Sequence, residues 1–294
     1  MSAYTTPLLH PVNRNHLAKM TFSRRQSSWI AVEGDSFFKI PKRSGAPDDW
    51  ILGADFDAAS KEFAAVSWLA DIESAVLRPT GLDGQHACIV FPRLLGEDLI
   101  DDLLRARDHA QAQPAIKEAV EILGRLHAKV RQQDGIPSYD YCSDPHYPLK
   151  EPGLLHEGPT TVVIRGVEVR NFRRQSACGP LRFFDPHDVW WGFPEEDLTR
   201  FVISLLMIRW ARKVSPLPWM RFDFEFLCTT YERTASIQLS KRRMRYCAEL
   251  NLRMRKHNAI AASAILPRFL RTPAKAYLKM YFSRMERWLS QHGF

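Results

Sequence analysis

The stretch that decides the fold is Ile164-Arg165-Gly166-Val167-Glu168-Val169-Arg170-Asn171-Phe172, with Phe184-Asp185-Pro186-His187 a little further along the chain. Each polar stretch follows a short apolar run, Thr-Thr-Val-Val-Ile at 160–164 and Leu-Arg-Phe-Phe at 181–184. Short runs rich in β-branched and aromatic residues are typical of strands. The sequence therefore predicts two strands that end in polar loops, within a half of the chain that otherwise has helical periodicity.

Length and composition indicate a globular protein with a core of normal size. The 294 residues are enough for one large domain or two modest ones, and 45% of them are hydrophobic. The most apolar run, 201–208, is interrupted by Arg209, so no transmembrane helix is predicted. Residues 1–10 lack the basic and long apolar regions of a secretory signal. The five cysteines form no CxxC pair, which favours a reduced, cytoplasmic compartment with neither a zinc site nor disulfides.

The positive charge of the chain is concentrated at its C-terminal end. The net charge is +8, but residues 231–294 carry 14 Lys and Arg against three Glu, a net charge of +11. Residues 1–230 are therefore mildly acidic. Basic residues alternate with Leu, Met, Phe and Trp in this segment, which fits three alternatives: a helix on an anionic membrane, a solvated basic face, or a nucleic-acid contact. No nucleic-acid-binding motif accompanies the charge, so nucleic acid is the least favoured of the three.

The first third of the chain predicts a hairpin, a helix and a strand in that order. Residues 27–41 alternate apolar and polar side chains around the turn dipeptide Gly34-Asp35. Residues 55–70 space their apolar side chains at three and four, as an amphipathic helix does. The apolar run 87–91 indicates a buried strand that ends at Pro92. Further helices are predicted at 99–107, 115–130 and 196–212 and through most of the C-terminal segment.

This element order resembles the protein-kinase-like superfamily, nearest its aminoglycoside-phosphotransferase and lipopolysaccharide-kinase branches. The resemblance covers about residues 20–212, and Ile122-Leu-Gly-Arg-Leu-His127 and Gly192-Phe-Pro-Glu-Glu-Asp-Leu198 are similar to two helix motifs of those branches. It implies an α+β, two-lobed fold with a small β-rich N-lobe and a larger, mostly helical C-lobe. The implied divisions are an N-lobe at 1–91, a C-lobe at 92–230 and a basic helical extension at 231–294.

The resemblance also implies a site for ATP and Mg²⁺. Lys39, at the end of a predicted strand, matches the lysine that binds the phosphates, and Glu62 matches the carboxylate that fixes that lysine. Lys42 is an alternative, because the register of a hairpin is not determined by one sequence. Asn171 and Asp185 match the two metal ligands, since Mg²⁺ takes carboxylate and amide oxygens.

The resemblance fails at the catalytic base. The pattern H-R-D-x-x-x-x-N puts an Asp where this chain has Gly166. Glu168 is the nearest carboxylate and the candidate substitute. The segment 21–28 also lacks the glycines that cover the phosphates in protein kinases, which argues against a protein kinase more than against nucleotide binding. Asp197 is either a capping charge of its helix or an anchor for the catalytic loop.

These features favour an ATP- and Mg²⁺-dependent phosphotransferase for a sugar, glycolipid or other small hydroxyl acceptor. The expected location is cytoplasmic, with the basic segment at the inner face of an anionic membrane as an option. One alternative, motivated by Gly166, is a pseudokinase scaffold that binds nucleotide without transferring phosphate. Another is a basic adaptor that binds membrane or nucleic acid and uses the fold only as a platform.

Overall fold

The chain folds as two units, one rich in β-strands and one mostly helical. The structure is a computed structural model that describes residues 17, 19–24, 27–43, 45, 49–106, 108–130, 136–164, 166–186, 189–211 and 223–291. Unit 1 comprises Met1–Glu97 and Arg173–Asp188, and unit 2 comprises Asp98–Phe172 and Val189–Phe294. Arg165, His187 and part of the segment 21–28 lie outside the described residues.

Unit 1 is built on a five-stranded antiparallel sheet with the order β1-β2-β3-β5-β4. Its strands are β1 (Ser23–Arg24), β2 (Ser28–Glu33), β3 (Ser36–Pro41), β4 (Gly81–Asp83) and β5 (Cys88–Pro92). The predicted hairpin is confirmed, because Glu33 pairs with Ser36 across a turn in which Gly34 has a φ of +54°. Such a φ suits glycine, which has no Cβ. Strand β3 is the central strand of the sheet, with β2 on one side and β5 on the other.

Among its described residues, unit 1 also contains two helices and a second small hairpin. They are α1 (Trp50–Gly53), α2 (Phe56–Ile72), β7 (Phe172–Arg174) and β8 (Leu181–Phe183). The predicted helix at 55–70 is confirmed as α2, and the carboxylate of Asp55 accepts a hydrogen bond from Ala58 N at its start, as an N-cap does. Its apolar stripe is buried, with Val66 and Leu69 at 0% exposure. Burial of this stripe fixes which face of α2 meets the rest of unit 1.

Unit 2 contains a two-stranded antiparallel sheet, β6 (Thr161–Ile164) with β9 (Val189–Gly192), and six helices among its described residues. The helices are α3 (Leu99–Arg105), α4 (His109–Lys129), α5 (Pro194–Ala211), α6 (Phe224–Ala235), α7 (Lys241–Ala262) and α8 (Arg268–Gln291). Short 3₁₀ turns occur at Tyr141–Ser143, Pro152–His156, Val169–Asn171 and Ser263–Ile265. The predicted division at 230/231 falls inside α6, and the one at 91/92 falls inside β5.

Helix α5 forms the centre of unit 2. Its residues Leu198, Val202, Ile203 and Leu205 are all at 0% exposure. Residues 195–206 are buried on every side of the helix, and the buried polar residues among them lie mostly in its first two turns. The apolar run at 201–208 is thus explained as a core helix. Nowhere in the described part of the chain is a helix both long enough and apolar enough to cross a membrane.

Candidate functional site

A buried ion-pair cluster lies in unit 1, where Lys39 of β3 meets two carboxylates. Its Nζ atom donates a hydrogen bond to Glu62 Oε1 of α2 at 2.6 Å, and it also donates to Asp185 Oδ1. The residue is only 5% exposed. A buried ammonium is stable only when it is paired and hydrogen-bonded. Glu62 and Asp185 supply those partners to Lys39.

The charge of Lys39 is maintained by its partners. Burial alone lowers the pKa of this ammonium, but the charges of Asp185 and Glu62 and their hydrogen bonds outweigh burial and raise the pKa above its ordinary value. Lys39 is therefore positively charged at neutral pH. One ammonium with two carboxylates leaves this cluster one negative charge in excess, which favours the approach of a cation.

Asp185 is held in an uncommon backbone conformation. Strand β8 is tied to the chain after α2, since Phe183 N donates to Ala75 O at 2.9 Å and Leu77 N donates to Phe183 O at 2.8 Å. Asp185 follows this anchored strand with a φ of +59°. Aspartate tolerates the left-handed region better than most residues, yet such a conformation costs on the order of 1–3 kcal/mol and is concentrated at functional sites. The strain supports a functional role for this carboxylate.

Lys42, the alternative lysine, has a different environment. Its ammonium lies over the ring of Trp29, 5.2 Å from the centroid. Residues 39 and 42 differ by an odd number, so their side chains leave β3 and its extension on opposite faces. Of the two lysines, it is Lys39 that the structure brings together with Glu62 and Asp185.

Segment 95–97 of unit 1 is paired with strand β7. Gly96 N donates to Arg174 O at 3.1 Å, and Arg174 N donates to Glu97 O at 2.8 Å. A Cβ atom on Gly96 would lie 2.5–2.6 Å from Ser176 O and from Arg174. Only glycine permits this close approach, so Gly96 fixes the position of the chain at the point where unit 1 ends.

The polar loop 164–172 lies in unit 2 and is anchored to α5 at two points. Ile164 N donates to Asp197 Oδ2 at 2.7 Å, and Val169 N donates to Ser204 Oγ at 3.0 Å. Both acceptors are buried. Asp197 therefore anchors the loop, which was one of its two predicted roles.

Behind Asp197 lies a buried network that reaches α6. His127 Nε2 is 3.3 Å from Asp197 Oδ2, and His127 Nδ1 is 2.5 Å from the hydroxyl of Tyr231. Burial, followed by the charges of Glu195 and Asp197, raises the pKa of Tyr231 well above its usual value, so it is a neutral phenol. His127 is 2% exposed and acts as a structural link between α4, α5 and α6.

Asn171 closes the loop on itself. Its Nδ2 donates to Gly166 O at 2.7 Å, and the side chain is buried. Because a carbonyl oxygen only accepts hydrogen bonds, this contact assigns the amide nitrogen and directs Asn171 Oδ1 away from Gly166. Gly166 itself has a φ of +114°, a conformation that residues with a Cβ rarely adopt. An aspartate would be strained at this position, so the loop is built for glycine here.

Glu168 lies in the same loop but is held by two arginines. Its Oε2 is 2.8 Å from Arg170 Nε, and its Oε1 is 2.5 Å from Nη2 of Arg255 on α7. Burial would raise the pKa of Glu168, but Arg255 and then Arg170 outweigh it, and the net effect lowers the pKa below its ordinary value. The carboxylate is ionised at neutral pH and is a weak proton acceptor.

The predicted site residues thus form two groups. Lys39, Glu62 and Asp185 meet in unit 1, whereas Glu168 and Asn171 share one loop of unit 2. Carboxylate and amide oxygens, the groups that Asp185 and Asn171 carry, are ligands that Mg²⁺ takes; the two residues belong to different units. Within the described residues, no group of three or more His, Cys, Asp and Glu is arranged to hold a metal by itself.

Comparison with known proteins finds similarity in structure but no match in sequence. Neither a protein-family model nor a curated protein matches the sequence. A choline kinase from Cryptosporidium parvum matches with a TM-score of 0.54 at 10% identity, over 96% of this chain and 93% of that one. The choline kinase LicA from Streptococcus pneumoniae matches with a TM-score of 0.53 at 10% identity, over 89% and 91%. An aminoglycoside phosphotransferase from Streptomyces rimosus, solved with ADP and streptomycin, matches with a TM-score of 0.50 at 14% identity, over 78% and 91%.

The chain has the protein-kinase-like fold. The expected α+β class is confirmed, with a small antiparallel sheet in one unit and a larger helical part in the other. The similar structures named above are two choline kinases and an aminoglycoside phosphotransferase. At these identities the likeness concerns the kinase-like fold and leaves the acceptor undetermined.

Two residues of the candidate site escaped the sequence interpretation. Ser204 holds the loop by its hydroxyl, and Arg255 pairs with Glu168 from a helix much later in the chain. Ser204 is the one polar residue in the apolar run 201–208, and nothing else in the neighbouring sequence indicates that it contacts the loop. Arg255 is one of many basic residues in α7, and only packing distinguishes it from the exposed ones.

Proposed function

We propose that the protein is an ATP- and Mg²⁺-dependent phosphotransferase that acts on a sugar, glycolipid or other small hydroxyl compound. The observation that carries the proposal is the buried Lys39 between Glu62 and Asp185. A buried ammonium held between two half-buried carboxylates is a costly arrangement for structural purposes alone. Phosphoryl transfer uses such a lysine to bind phosphate oxygens and such a carboxylate to hold the metal.

Each residue has a defined task in this proposal. Lys39 would bind phosphate oxygens, Glu62 would hold Lys39 in place, and Asp185 and Asn171 would hold Mg²⁺. The ion, when bound, neutralises the charge of the β- and γ-phosphate oxygens. Positioning and electrostatic stabilisation supply most of the acceleration in phosphoryl transfer, so a chain with Gly166 in place of an aspartate retains the larger part of the machinery.

The charge of the chain favours some classes of acceptor over others. The similar structures include choline kinases, and choline is a quaternary ammonium compound. A segment with a net charge of +11 disfavours a cationic acceptor and attracts an uncharged or acidic one. We therefore favour a sugar or glycolipid hydroxyl. We also propose a cytoplasmic location, with residues 231–294 in peripheral contact with the inner face of an anionic membrane.

Binding of Mg-ATP tests the proposal directly. Titration calorimetry of the full chain with Mg-ATP should give saturable binding below millimolar concentration. Asp185→Ala should weaken this binding, since it removes the carboxylate proposed to hold Mg²⁺. Asp71→Ala is the matched control, because Asp71 is an exposed carboxylate of unit 1 whose partner is Arg78. Absence of Mg-ATP binding by the folded wild-type protein at millimolar concentration would refute the phosphotransferase and the pseudokinase together.

A pseudokinase scaffold is the second candidate, favoured by Gly166 and by the pairing of Glu168. Glu168→Gln separates the two, with ATP turnover measured beside nucleotide affinity. If Glu168 accepts the acceptor proton, turnover should fall about 10²–10⁴-fold with affinity unchanged. Nucleotide binding without any turnover, in wild type and variant alike, would identify the scaffold.

The pairing of Glu168 with Arg255 predicts that the free energy of unfolding depends on Arg255 and on pH. Arg255→Ala leaves the half-buried carboxylate of Glu168 paired with the exposed Arg170. It should destabilise the protein more than Arg253→Ala, which breaks an exposed pair with Glu249. The pKa of Glu168 is lowered by folding, so its contribution is present above its ordinary pKa of 4.5 and is lost as the pH falls through the folded value. Urea unfolding at neutral and acidic pH measures this. Equal losses for the two arginine variants would contradict a buried pair.

The adaptor alternative needs a different experiment from deletion of residues 231–294. Tyr231 is 0% exposed and contacts His127, so this deletion would remove part of the core of unit 2. Point substitutions on exposed basic residues test the adaptor without that damage.

A further inference from the structure

The first half of α8 is exposed on nearly every side, although it is rich in large apolar residues. Phe269 is 77% exposed and Tyr277 is 52% exposed, and Leu270 and Met280 are exposed as well. Single exposed apolar side chains are ordinary. Four of them within twelve residues of one helix form a patch, and such patches mark interaction sites.

These four residues share one side of the helix. With 3.6 residues per turn, Phe269, Leu270, Tyr277 and Met280 fall within an arc of about 100°. The second half of α8 packs against the protein through Phe282, Met285, Trp288 and Leu289, which are buried. Three of these lie on the side of the helix away from the arc, and Trp288 lies in line with its Leu270 edge. In the first half of α8 the apolar arc itself is exposed.

The charges on the other side of the helix have one sign. Arg268, Arg271, Lys275 and Lys279 are all exposed and lie on the face opposite the apolar arc. No aspartate or glutamate occurs between Arg268 and Met285, and the first acid, Glu286, pairs with Lys256 at 3.1 Å. The exposed half of α8 is therefore an amphipathic helix with an apolar face and a cationic face.

We propose that this surface of α8 binds an anionic lipid bilayer, with the helix lying in the plane of the interface. The apolar arc would enter the boundary between headgroups and acyl chains, and the lysines and arginines would contact lipid phosphates. Charge complementarity selects lipid over a neutral protein surface, and the apolar arc selects lipid over nucleic acid, which would need only the charges. The inference is independent of phosphoryl transfer.

Vesicle flotation of the full chain tests the surface. The protein should float with vesicles of phosphatidylcholine and phosphatidylglycerol in equal parts, should stay unbound with phosphatidylcholine alone, and should be released by high salt. Reversing Lys275 and Lys279 together, as Lys275→Glu with Lys279→Glu, should lower the partition coefficient at least about tenfold. Phe269→Ser with Met280→Ser should lower it without changing the net charge.

Matched controls keep the result specific. Lys19→Glu with Lys150→Glu changes the net charge equally at two exposed lysines elsewhere, and Leu95→Ser removes an apolar side chain that is 65% exposed in unit 1. Both should float like the wild type. Equal losses in the controls, equal flotation with neutral vesicles, or tighter binding to a nucleic-acid homopolymer that depends on the same lysines would each overturn the proposal. Because all the substituted side chains are exposed, thermal melting of the variants should match the wild type.

Discussion

Lys39→Met is expected to reduce ATP turnover about 10²–10³-fold, the range found when one preorganised donor is removed from a charged reaction centre. Lys39 is the ammonium that joins Glu62 to Asp185, and methionine keeps its length without its charge. Loss of the ammonium leaves two carboxylates facing the position proposed for the phosphates. The measurement is steady-state ATP turnover together with nucleotide affinity by calorimetry.

Lys42→Met is the control for this prediction. Lys42 lies over Trp29 rather than between the two carboxylates, so turnover should change little. A larger loss in Lys42→Met than in Lys39→Met would show that the other lysine binds the phosphates. Glu62→Gln guards against misfolding, because it keeps Lys39 and the shape of its partner. We expect a turnover loss in this variant that is smaller than in Lys39→Met.

Arg243→Ala is expected to lower the free energy of unfolding by at least about 3 kcal/mol, because several carbonyl groups lose their donor and a large buried side chain is removed. Arg243 is 0% exposed, and its guanidinium donates to the carbonyl oxygens of Leu154, Leu155, Gly158 and Pro159 at 2.7–3.1 Å. It also lies over the ring of Phe193, 4.2 Å from the centroid. Alanine would leave these carbonyl groups without their donor and open a cavity.

Arg242→Ala is the neighbouring control, because Arg242 pairs with Glu151 and Glu157 at the surface. Urea unfolding followed by circular dichroism should shift its midpoint only slightly. Arg243→Lys should recover part of the loss, since one ammonium restores the charge but not the whole set of hydrogen bonds. If Arg242→Ala and Arg243→Ala have the same midpoint, the buried guanidinium does not hold the segment 154–159, which leads into β6.

Much of unit 1 was predictable because its signals are local. The turn dipeptide Gly34-Asp35 and the alternation around it predict β2 and β3, and the spacing of apolar residues predicts α2 with Asp55 as its cap. The roles of Lys39 and Glu62 follow from their order on these elements and from the family resemblance. The choice between Lys39 and Lys42 needed the register of the hairpin, which depends on pairing with β5.

The loop 164–172 shows where sequence reasoning stops. The residues Glu168 and Asn171 and the defect at Gly166 are read directly from the chain, but the conformation of the loop is not. Gly166 has a φ of +114°, which is why glycine is needed at this position. The loop that contains it is anchored to α5 by Asp197 and Ser204. The environment of Glu168 depends on Arg255, a contact between residues far apart in the chain.

By itself, the sequence determined the kinase-like element order, the candidate ligands of nucleotide and metal, the missing base and the basic C-terminal segment. These properties are carried by local periodicity, turn residues and charge. Only the tertiary structure decided that Lys39 pairs with two carboxylates, that Glu168 is held by Arg255, and that Phe269 and Tyr277 of α8 face outward. The physical reason is that burial and the pairing of charges depend on which distant segments pack together. That packing raises the pKa of Lys39 and lowers the pKa of Glu168, and so determines the charge that each side chain carries.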